Sequence, residues 1–135
     1  MKDKFIALCE ELKSDIEKAY TEGVTLDQAE RLAAKFLGAQ MDVADKLRVV
    51  GLDTRMRKSG LKAVKAAVYL EEATRDQKKP SDVMLQALVD RNEIVSGEQT
   101  AFDEAEVSKN QLENYLDTFK NAHIYFRGMA KGRFE

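Results

Sequence analysis

Residues 25–50 read TLDQAERLAAKFLGAQMDVADKLRVV, and the spacing within that stretch decides the fold. Thr25 with Gln28 three positions on has the form of a capping box, in which hydroxyl and amide each satisfy a backbone N–H at a helix start. After it Ala29, Ala33, Phe36, Gln40, Val43, Leu47 and Val50 return every three or four residues, the period of a helix with one packed face. The segment is predicted as a long amphipathic helix.

Upstream, Phe5, Leu8, Cys9, Leu12 and Ile16 keep the same period, and Gly23 stands where a C-terminal cap ends a first helix. Downstream, Gly51-Leu52-Asp53-Thr54 interrupts the pattern. It reads either as a kink or as a short turn in which Asp53 or Thr54 caps a new helix through Leu61, Val64 and Val68 to about Thr74. Asp76-Gln77-Lys78-Lys79-Pro80 is a polar connector, and Ser81 is placed to cap a short helix from Asp82 to about Asp90. A last long helix starts between Asn92 and Glu98 and runs to about Gly128, with Ala105, Leu112, Phe119 and Phe126 seven residues apart. No segment alternates as a strand would. The expected fold is all-α, a single domain over 1–135 with four or five helices, the two long ones forming an antiparallel, hairpin-like bundle.

The 135 residues, 44% hydrophobic and 34% charged, suit one folded domain and exclude disorder. No apolar run nears the roughly 20 residues of a bilayer span, and no long apolar stretch follows Met1-Lys2-Asp3-Lys4, so a cytoplasmic location without membrane contact is expected. The lone Cys9 and lone His123 supply neither a disulfide framework nor the ligands of a zinc site nor a nucleophilic triad. Gly23, Gly38, Gly51 and Gly60 are too widely spaced for a phosphate loop, and Asp103, Glu104 and Glu106 suit the start of a helix. No catalytic residue, metal or cofactor is expected, so the chain reads as a non-enzyme.

The net charge of −2 conceals separated blocks. Residues 1–30 hold four lysines against eight acids, and residues 82–117 hold two basic side chains against nine acidic ones. Between them, residues 46–65 carry Lys46, Arg48, Arg55, Arg57, Lys58, Lys62 and Lys65 against Asp53 alone, while Lys120, Arg127, Lys131 and Arg133 near the end meet no acid. A polyanion responds to the local patch within a Debye length of roughly 8–10 Å, not to the total.

On a helix Arg55, Lys58, Lys62 and Lys65, at spacings of 3, 4 and 3, fall on one ridge that Tyr69 extends by a turn. Leu61, Val64 and Val68 lie on a neighbouring arc, so the ridge is separate from the packing face. Cations there can neutralise phosphates, and an aromatic ring can stack an unpaired base, the chemistry of single-strand binding. The competing account is a solvated basic face, or one neutralised by the acidic segments. At the C-terminus, Leu112, Tyr115, Tyr125, Phe119, Phe126 and Phe134 concentrate apolar and aromatic surface, either as intramolecular packing or as a seam joining copies of the chain.

Taken in order, these features resemble the UvsY-type recombination mediators of tailed phages over roughly residues 26–130: a long amphipathic helix, a basic segment, Lys79-Pro80-Ser81 before a short helix, and a long last helix ending near Arg127-Gly128. Leu61-Lys62-Ala63 followed by Tyr69 is similar to that family's DNA-contacting stretch. Lys62 keeps its context there, whereas Lys65 and Tyr69 are displaced by one or two positions. The resemblance implies a helical homo-oligomer, ring-forming, that binds single-stranded DNA and helps a RecA-like recombinase displace single-strand-binding protein in a bacterial host's cytoplasm. The residues then expected at phosphates are Arg48, Arg55, Arg57, Lys58, Lys62 and Lys65, with Tyr69 stacking. The alternative is a helical protein-interaction module, an adaptor or inhibitor acting through its acidic segments, and a third is a coiled-coil scaffold without nucleic acid.

Overall fold

The computed structural model describes residues 2–75 and 80–132. Among them the chain is all-α, with four helices: α1 (Lys2–Glu22), α2 (Leu26–Arg75), α3 (Asp82–Arg91) and α4 (Glu93–Ala130). Local chemistry sets their ends. Gly23 takes φ 75°, the left-handed conformation that stops α1, and its N–H donates to the Ala19 carbonyl at 2.9 Å. The capping box then starts α2 reciprocally: the Gln28 N–H donates to Thr25 Oγ1 at 3.2 Å, and the Thr25 N–H donates to Gln28 Oε1 at 2.9 Å. Ser81 Oγ accepts from the Met84 N–H at 3.3 Å to cap α3, and Asn92 Oδ1 accepts from the N–H groups of Ile94 and Val95 to start α4. The Asp76–Lys79 part of the connector lies outside the described residues, as do Arg133 and Phe134.

The Gly51 region neither turns nor recaps: α2 is one helix of 50 residues. Asp53 pairs with Arg57 at 3.0 Å one turn on, and Thr54 Oγ1 donates to the Val50 carbonyl at 2.8 Å, so neither side chain caps a helix start. A lone helical glycine costs only about 1 kcal/mol, less than packing on either side of it supplies.

The chain divides into two compact units. Unit 1 comprises Met1–Leu47 and Gln111–Glu135, and unit 2 comprises Arg48–Asn110. In unit 1 the fully buried Phe36 stacks on Phe119 and Phe126 at 5.9 and 5.8 Å between ring centroids, with Cys9 and Ile16 of α1 also buried. Burial first, then the nearby Glu10 and Asp42 carboxylates, pushes the Cys9 thiol up to about 11, which makes it an inert packing group. In unit 2 Leu61 and Val68 of α2 form a buried cluster with Val89 of α3 and Val95 of α4, and Val64, Tyr69 and Phe102 pack against it. Thr54 is buried there beside Ala105, whose carbonyl its hydroxyl approaches at 3.4 Å, so α2 and α4 run antiparallel in this unit. Among the described residues, no helix is long and apolar enough to cross a membrane.

Candidate nucleic-acid interface

The ridge is built by the unbroken middle of α2. Its inner arc, Thr54, Leu61 and Val68, recurs every seven residues and faces the core of unit 2. That anchors the helix rotation and turns Arg55, Lys58 and Lys62 outward, where all three are exposed; Lys65, one turn on, is half-buried. None of these four cations is paired with a carboxylate among the described residues. The continuous helix also puts Arg48 in line, since 48, 55 and 62 are seven apart, and Arg48 is exposed with an interaction of its own.

Two of the expected contact residues stand elsewhere. Arg57 lies on the opposite flank, and its Nε donates to Asp53 Oδ2 at 3.0 Å, so it is an intrahelical ion pair outside the ridge. Tyr69 does not offer a free ring. It packs against the Leu61–Val68–Val89–Val95 cluster, and its hydroxyl donates to Asp82 Oδ1 at 2.5 Å, tying α2 to the start of α3. That hydrogen bond, with some burial, raises the phenol above its ordinary range. The sequence placed Tyr69 on the ridge by angle alone, and the missing signal was Asp82, which begins the next helix.

The four residues expected to join copies, Leu112, Tyr115, Phe119 and Phe126, are buried inside unit 1 of the chain itself. Phe119 and Phe126 sandwich Phe36, and the Tyr115 hydroxyl donates to the Glu10 carboxylate. They therefore present no surface to a neighbour. Their seven-residue repeat marks the interior face of α4, not a seam.

Other groupings lack the ridge's uniform sign. A cleft of about 440 Å³ in unit 1 gathers Lys18, Arg31 and Lys35 with Asp15 and Glu22, but Lys35 Nζ already meets Asp15 Oδ2 at 2.9 Å. Lys46 sits over the Phe5 ring, 5.5 Å from its centroid, in the same unit. Among the described residues, no group of three or more His, Cys, Asp or Glu is placed to hold a metal ion.

Compared with known proteins, the chain matches no family model. No curated protein and no solved structure matches it either.

Proposed function

We propose that the chain is a non-enzymatic single-stranded nucleic-acid-binding protein that grips phosphates along α2. The observation that carries this reading is the row of Arg55, Lys58 and Lys62, exposed, of one sign and without carboxylate partners among the described residues, on an arc apart from the core. Like charges three and four apart weaken a helix by a few tenths of a kcal/mol per pair, so a helix kept only for stability gains nothing from them. With Arg48 and Lys65 in line, the row tracks a flexible polyphosphate over several turns at 1.5 Å per residue. Nothing in it reads base edges, so binding is sequence-tolerant. The resemblance to the UvsY-type mediators supplies the finer part of the proposal: DNA as the strand, and the loading of a RecA-like recombinase against single-strand-binding protein as the purpose.

The test is fluorescence anisotropy of a labelled single-stranded oligonucleotide against the matched duplex at 50 mM salt. Binding that favours the single strand and weakens about tenfold or more in the Lys58→Ala, Lys62→Ala double variant supports the proposal. No binding at that salt, or equal affinity in the variant, overturns it.

A second reading has one observation in its favour. On α4 Asp103, Glu104 and Glu106 are exposed beside Val107, itself 67% exposed, and a shallow depression of about 430 Å³ is lined by Thr100, Asp103, Glu104, Val107 and Ser108. An apolar centre rimmed by acids suits a basic protein partner. Charge reversal at Glu104, Glu106 and Glu113 separates the two readings, since it abolishes that interaction and leaves the α2 ridge intact.

A further inference from the structure

The outer face of α2 in unit 2 is apolar, opposite the arc that meets the core. Val49, Leu52, Met56 and Leu70 are 64%, 55%, 66% and 65% exposed, and the exposed Ala63 and Ala66 continue their spacing. With Ser59 between them these positions alternate by three and four over 22 residues, the a and d sites of three heptads and roughly 32 Å of helix. Single exposed apolar residues are ordinary, but a continuous a/d stripe has the form that a second helix covers.

We infer that this face docks on the same face of a second copy as a parallel, in-register two-stranded coiled coil. The flanking charges select that occupant and its direction. In this register Arg48, Arg55 and Lys62 occupy successive g sites, while Asp53, Gly60 and Ala67 occupy the e sites. A parallel pair sets each g against the e site five residues on in its partner. Arg48, which keeps an interaction of its own within the chain, then comes opposite the partner copy's Asp53, and Arg55 and Lys62 meet uncharged glycine and alanine. An antiparallel pair sets the basic g row against itself and is opposed by its own charge. Asp53 keeps its Arg57 contact and gains a second guanidinium from the neighbouring copy. Three heptads are marginal as free peptides, but here α2 is already held helical by packing on its other side, so association does not have to order it. The small residues at 59, 63 and 66 let the backbones approach, with larger side chains closing both ends. Lys58 and Lys65, at c sites, stay outside the contact, whereas Arg48, Arg55 and Lys62 of the proposed grip flank it.

Sedimentation equilibrium of the full chain from 1 to 200 µM tests the pairing, since a small interface is expected to dissociate at roughly micromolar concentration. The account predicts self-association that disappears in the Leu52→Lys, Met56→Lys double variant while far-UV circular dichroism at low concentration is unchanged, both side chains being exposed in the single copy. Direction is read by Leu52→Cys, which forms a disulfide-linked dimer under mild oxidation if the pair is parallel; the buried Cys9 does not compete. A monomer at every concentration overturns the inference and leaves the face to a different partner. Association that survives the double lysine variant also overturns it. A cross-link between Leu52→Cys and Ala66→Cys chains, without one from Leu52→Cys alone, refutes the parallel register.

Discussion

At the scale of single residues, burial separates side chains that hold the chain together from those free to act. Phe36 is fully buried between two rings, so Phe36→Ala leaves a cavity and is expected to cost about 3–5 kcal/mol in a denaturant melt. Combining it with Phe126→Ala costs less than the sum, because both changes open the same space. Tyr115 makes a pH-dependent contribution. Burial first, and then the hydrogen bond to Glu10, push its phenol from 10.0 up to about 12. The folded chain therefore holds this proton more tightly than the unfolded one; the stabilisation is whole below pH 10 and is lost as pH rises towards 12. Alkaline unfolding curves check the sign: Tyr115→Phe is expected to flatten the fall in stability across that window relative to the unmodified chain. The core positions were legible in the sequence because repeats at Ala29, Ala33, Phe36 and Val43 leave one face to bury. Tyr69 was not, since the group that claims its hydroxyl, Asp82, stands 13 positions away across a turn.

At the scale of elements, helix ends were written locally and helix continuity was not. Thr25, Ser81 and Gly23 act within four residues of themselves, so capping chemistry alone identifies them. Whether α2 continues through Gly51 depends on what packs on either side, which local sequence does not record. The glycines test this account in opposite directions. Gly23, at φ 75°, is strained by any side chain, and Gly23→Ala is expected to cost about 1–2 kcal/mol although nothing lies within 4 Å of the added carbon. Gly51 is helical with the same open space, so Gly51→Ala is expected to stabilise by about 0.4–1 kcal/mol. Thermal melts of the two variants shifting in the same direction would refute the assignment of α2 as one helix ended by no turn at 51. The two-sided character of α2 was also hidden. The sequence shows two interleaved apolar sets between 49 and 70, and only the structure tells which set the chain covers for itself.

At the scale of the whole molecule, the charge blocks explain how a chain of net charge −2 can present a cationic row. Most of the acids lie on α1 and α4, and along α2 the described ion pairs engage Lys35, Arg57 and Arg75 but leave Arg55, Lys58 and Lys62 to solvent. Salt dependence is then the property that distinguishes phosphate neutralisation from incidental stickiness. Each single-strand phosphate contact contributes about −0.7 to the slope of log affinity against log salt. The most direct test of the central claim is that slope, measured by anisotropy on a single-stranded oligonucleotide for the unmodified chain and for Lys58→Ala, Lys62→Ala. The account predicts about −3 for the former and a value smaller in magnitude by about 1 to 2 for the latter. Identical slopes for the two proteins would contradict it.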